Sequence, residues 1–152
     1  MVRLFLQDDV LGRGVSAVGL VEDLVKLLRD EFPELVITEP RSETDLHALI
    51  FLYLKMKGYV VNYTGGRAQP DFIVTTKRSK TEVPIEVKVA STAKLVDDGF
   101  KQLFNYMKGT KWRKGILYIW DRSKKAVAYS RAKELGKQSK YGRTIITIGI
   151  KR

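Results

Sequence analysis

The chain has no cysteine among its 152 residues, which excludes disulfides, thiolate zinc sites and iron–sulfur clusters. It has no apolar run near the roughly 20 residues that cross a bilayer. Acids at Asp8 and Asp9 follow the short apolar start over residues 2–6 too soon for a signal peptide, so no membrane partner and a cytoplasmic location are expected. There is no low-complexity tract or internal repeat, and no nucleotide cofactor is expected. Asparagine occurs twice beside abundant lysine and glutamate, a composition that points to an archaeal or thermophilic source. The C-terminal third is short of acids. Residues 101–152 hold fifteen Lys/Arg against Asp121 and Glu134, a net +13, whereas residues 1–100 sum to −2. Basic charge so concentrated predicts a polyanionic partner rather than general solubilisation.

What is present is a soluble α/β pattern. With 44% hydrophobic and 30% charged residues, the chain is expected to fold as one domain over 1–152 with its own core. A short strand is expected over 2–6, then a helix capped by Ser16 and ended by Pro33. Ser42 and Asp45 form a capping box for a second helix, which is apolar almost all round and so expected to be buried on most sides. Strands are predicted over 59–63, 71–75 and 83–89. A helix follows over 98–108, with Phe100, Leu103, Phe104 and Met107 as its apolar stripe. Gln102 and Tyr106 lie four apart and off that stripe. A strand over 115–120, a strand over 126–129, a helix near 131–136 and a final strand over 144–150 complete the expectation.

The stretch 83–89 carries the chemistry. Val83, Ile85, Val87 and Val89 alternate with Pro84, Glu86 and Lys88, so one face of the strand is apolar and the other holds a carboxylate and an ammonium. Asp71 precedes Glu86 by a hairpin's length, so the two carboxylates are expected to converge. Such a pair suits a hard divalent cation, Mg²⁺ or Mn²⁺. With Lys88 beside it, the group is equipped for phosphodiester hydrolysis.

Pro70-Asp71 followed by Glu86-Val87-Lys88 resembles the PD-(D/E)xK nuclease superfamily, in its RecB-like and archaeal Holliday-junction-resolvase-like branch. The likeness covers residues 42–120. It implies a restriction-endonuclease-like core, a central mixed β-sheet flanked by helices in the order αβββαβ. Residues 1–41 would be an N-terminal helical extension and 121–152 a basic C-terminal part. The resemblance further implies a Mg²⁺-dependent deoxyribonuclease. In that reading Asp71 and Glu86 bind metal, Lys88 assists the attacking water, and Gln102 and Tyr106 match a Gln-x-x-x-Tyr motif that supports the site. His47, the single histidine, stands where RecB-type nucleases have a histidine ligand, and Glu43 is its rival. The Val87 carbonyl is also counted among the expected ligands.

DNA contacts are expected from Arg67, Lys77, Arg78 and Lys80, and from Lys111, Trp112, Arg113 and Lys114. A homodimer is the expected assembly. A branched-DNA resolvase and a non-catalytic nucleic-acid-binding module on the same fold are the alternatives.

Overall fold

A computed structural model describes residues 19–65 and 68–152 of the chain. The strand expected over 2–6, the Ser16 cap and Arg67 lie outside the described residues.

Helix α1 (Leu20–Lys26) starts at Gly19, whose φ of 94° suits a residue without a side chain. It runs through one π-helical turn, Leu27–Glu31, into the short helix α2 (Phe32–Leu35). Pro33, expected to stop the helix, instead sits in the first turn of α2, where its missing N–H is not needed.

Helix α3 (Glu43–Met56) is capped by Ser42, whose hydroxyl accepts the Asp45 N–H at 3.2 Å. The Asp45 carboxylate in turn accepts the Arg41 N–H at 3.1 Å. Burial on most sides does not occur. Leu46, Ile50, Tyr53 and Leu54 face the core, while Leu52 and Met56 remain 58% and 85% exposed. A helix in the outer layer of a sheet packs through one face only.

Among the described residues the sheet has six strands. The first three, β1 (Val60–Tyr63), β2 (Phe72–Thr75) and β3 (Val83–Ala90), form an antiparallel meander. Helix α4 (Ala93–Met107) then crosses over to β4 (Lys114–Asp121), which runs parallel to β3. Helix α5 (Val127–Leu135) and the hairpin β5 (Lys137–Lys140) and β6 (Arg143–Ile150) follow. Here β6 is parallel to β4, and β5 closes the far edge in antiparallel sense. The spatial order is β1-β2-β3-β4-β6-β5. The result is an α/β fold with a mixed sheet flanked by helices.

Two apolar cores lie on the two faces of this sheet. Val83, Ile85 and Val87 of β3 pack with Leu46, Ile50 and Leu54 of α3, Leu24 and Leu28 of the first helix, and Tyr118 and Trp120 of β4. On the other face, Leu117, Ile119 and Ile145 pack under Val96, Leu103 and Met107 of α4 and Ala128 and Ala132 of α5. Burial on both faces explains the unbroken apolar run of β4.

Three boundaries depart from expectation. Helix α4 begins five residues before 98, because Thr92 caps it by accepting the Leu95 N–H at 3.2 Å. No strand forms over 126–129. The Ser123 hydroxyl accepts the Val127 N–H at 2.9 Å and the Asp121 carboxylate accepts the Tyr129 N–H at 2.7 Å, which starts a helix there. Finally β5, Lys-Gln-Ser-Lys, is a strand formed by four exposed polar residues, which no alternation of apolar residues announces.

Candidate active site

The β2–β3 ladder pairs Phe72 with Ile85, so the next rung sets Asp71 opposite Glu86. Side chains complete that rung. The Asp71 N–H donates to Glu86 Oε1 at 3.2 Å, and the Val87 N–H donates to Asp71 Oδ2 at 2.8 Å. Both acids are buried, at 5% and 2% exposure. Lys88 reaches back along the same face, its Nζ 3.3 Å from Glu86 Oε2. Helix α4 allows this because residue 99 is glycine. A Cβ there would lie 3.2 Å from Lys88 Cγ and 3.1 Å from Leu117 Cδ1.

The electrostatics follow from burial and from like charge. Removal from water and then the neighbouring Asp71 push the Glu86 carboxyl up to about 7, against the pull of Lys88 and of the Asp71 N–H. For Lys88, burial opposes the ammonium. The charges of Glu86, Glu43 and Asp71 outweigh it, so its pKa is raised.

His47 comes from the first turns of α3. Its ring packs edge-on against Tyr63 and Phe72, and its Nδ1 is 3.1 Å from the Tyr63 hydroxyl. Its Nε2 lies 3.3 Å from Asp71 Oδ2. No hydrogen bond is made there, and Nε2 is buried with no hydrogen-bond partner among the described residues. Glu43, one turn earlier, is half-buried and makes itself felt at Lys88 rather than by bonding to either buried acid. Gln102 and Tyr106 are both half-buried on the flank of α4 beside Gly99 and Leu103. Among the described residues no hydrogen bond joins either to Asp71, Glu86 or Lys88. At Val87 the backbone N–H is bonded to Asp71 Oδ2.

The donor set can be tested against a divalent cation. Among the described residues, no group of three or more His, Cys, Asp or Glu side chains is placed to hold a metal ion. What is present is a pair of hard carboxylates, one driven toward its protonated form by burial and then by the other, and an imidazole nitrogen left without a hydrogen bond beside them. These features fit a small hard cation, with Asp71 and Glu86 as the residues that would hold it and His47 Nε2 beside Asp71.

The expected DNA-contacting cations gather elsewhere. Arg78, Lys80, Lys111, Arg113 and Lys114 line a cleft of about 660 Å³ with Val83 in its wall. This is the opening end of β3, about 10 Å before Glu86 at some 3.3 Å per residue. Lys114 is paired with Glu22 at 3.0 Å, and Lys77 lies outside the cleft lining. Trp112 is tied into the fold, its indole N–H donating to Glu82 at 2.9 Å. Two residues that shape the site are absent from the sequence expectation. Gly99 has a signal that could have found it, since a lone glycine within an apolar helical stripe marks close approach. Tyr63 has almost none, being an aromatic residue at the end of a short strand.

A family model described as a domain of unknown function (DUF8371) matches residues 22–124, a span that contains every residue of this cluster. No curated protein and no solved structure matches the chain.

Proposed function

We infer that this chain, which belongs to the DUF8371 family, is a metal-dependent DNA nuclease built on a restriction-endonuclease-like core. The observation that carries the reading is the buried rung of Asp71 and Glu86. The fold uses two backbone N–H bonds to hold two like charges together, and Lys88 adds an ammonium 3.3 Å away. A structural role would be served better by apolar or neutral residues. A bound Mg²⁺ or Mn²⁺ would supply Lewis acidity toward a phosphodiester. Asp71 and Glu86 would hold that centre. Lys88, fixed by Glu86 and roofed by Gly99, is placed to orient a water or to balance charge developing on the phosphate. The intact acid–acid–lysine set favours this reading over a purely binding module, because carboxylates facing phosphate weaken simple binding.

The test is incubation with linear, single-stranded and four-way-junction DNA in Mg²⁺ or Mn²⁺. Cleavage should be abolished by chelation and by Glu86→Gln. Failure to cleave any substrate, or cleavage that survives Glu86→Gln, would overturn it. Preference for the junction would single out the resolvase form, with a homodimer as its assembly.

A further inference from the structure

A second cleft opens at the other end of the same strand. It has a volume of about 530 Å³, and its floor is formed where β3 runs out, at Val89, Ala90 and Ser91. Its walls carry Arg41, just before α3, and Arg122, just after β4. Arg122 is built into place. Its backbone N–H donates to the Ala90 carbonyl at 2.9 Å, and one guanidinium nitrogen donates to the Arg41 carbonyl at 2.7 Å. That bond leaves most of its donor fork open. None of the ion pairs among the described residues neutralises either arginine.

Two helices also begin at this end of β3: α3 at Glu43 and α4 at Ala93. Their amino ends add partial positive charge to that of the guanidinium groups. Glu43 lines the cleft as well, one carboxylate against the two guanidinium groups, with the nearby Lys88 ammonium acting on it through space. Along β3 the cleft lies three to five residues beyond Glu86, about 10–16 Å away. It is therefore on the Lys88 side of the carboxylates, opposite the larger basic cleft.

We propose that the Arg41–Arg122 cleft is a phosphate subsite that seats a backbone phosphate about two nucleotides along the DNA strand from the phosphodiester that lies over Asp71 and Glu86. This rests on the nuclease reading above. Planar guanidinium forks match phosphate oxygens two at a time. A phosphate gripped here fixes the strand's register relative to the carboxylates without reading its sequence. The subsite acts on substrate placement, not on the hydrolytic step.

The experiment compares the full chain with Arg41→Gln/Arg122→Gln and with Lys137→Gln/Lys140→Gln. The latter pair removes the same charge from the edge strand β5. Oligonucleotide affinity is followed by fluorescence anisotropy across salt concentrations without divalent metal, cleavage is followed in Mg²⁺, and thermal melting checks folding. The arginine variant should lose about one from the slope of log K against log salt. Its KM should rise about tenfold with kcat within about threefold, while the lysine pair shifts KM by less than about threefold. Equal effects of the two pairs, or a fall confined to kcat, would overturn the subsite and leave the nuclease reading standing. A wild-type chain that neither binds nor cleaves DNA would bring down the nuclease reading, and the subsite with it. Should the double variant melt early, the single Arg41→Gln change replaces it, because it leaves the Arg41 carbonyl and hence the Arg122 bond in place. A reduced salt slope in that variant supports the subsite, and an unchanged slope overturns it.

Discussion

Replacing Glu86 with glutamine should make the metal-free protein more stable, by a margin that grows as pH rises from about 4.5 to 7. The carboxyl is moved from its usual 4.5 up to about 7 by burial and by Asp71. At about 1.4 kcal/mol per tenfold change in proton affinity, the charged form costs roughly 3 kcal/mol in the folded state. Below pH 4.5, folded and unfolded chains both hold this proton and nothing is lost. Between about 4.5 and 7 the unfolded chain releases it while the folded chain keeps it, so stability falls as pH rises. Above 7 the loss is complete. Glutamine keeps an oxygen for the Asp71 N–H and carries no charge. Wild type and Glu86→Gln should therefore match near pH 4.5 and differ by roughly 3 kcal/mol at pH 8. That corresponds to about 6–12 °C in melting temperature for a chain of this size. Circular-dichroism melts in EDTA from pH 4.5 to 8 measure it, and the difference between the two proteins cancels the other titrating groups. Mg²⁺ at about 100 times its dissociation constant should return about 2.7 kcal/mol to the wild type at pH 8 and nothing to the variant. A difference independent of pH, or a wild type more stable than the variant at pH 8, would refute the reasoning.

Asp71→Asn and Asp71→Ala should both abolish cleavage, yet urea unfolding should find the alanine variant weaker by about 1–3 kcal/mol. Only asparagine leaves an acceptor for the buried Val87 N–H, and equal stabilities would show that this bond is not holding the strand. Lys88→Met keeps the aliphatic stem and should lower the single-turnover cleavage rate by about 10²–10⁴ while DNA affinity changes little. A rate within tenfold of wild type would remove Lys88 from the chemistry. Gly99→Ala sets a Cβ 3.2 Å from Lys88 Cγ and should reduce turnover more than it reduces melting temperature. Unchanged turnover would mean that the lysine stem yields freely.

The meander and its acids are legible in the sequence because periodicity two, a hairpin-length spacing and a Pro-Asp start all point to one register. The ladder Phe72–Ile85 then delivers Asp71 to Glu86. The α4 apolar stripe is legible for the same kind of reason. Its true beginning is not, since Thr92 as a cap competes with the run of polar residues around it. The start of helix α5 reads as a strand because the groups that initiate it, Asp121 and Ser123, act across several residues. The exposed flank of α3 escapes detection because the composition of a helix does not say how many layers will cover it. At the site, the residues that bring their own charge are the ones a sequence displays. Gly99, which matters by what it leaves out, and Arg122, which matters by where β4 ends, are not.

The bond from the Val87 N–H to Asp71 gives the two acids different evolutionary fates. On the nuclease reading proposed above, a descendant freed from the need to cut DNA would gain stability by discarding the acid at 86. It would be held to an oxygen acceptor at 71, because a buried backbone donor depends on it. Lineages in this family that have fallen silent should then be recognisable by an asymmetric loss, with position 86 drifting to neutral or apolar residues while position 71 stays Asp or Asn.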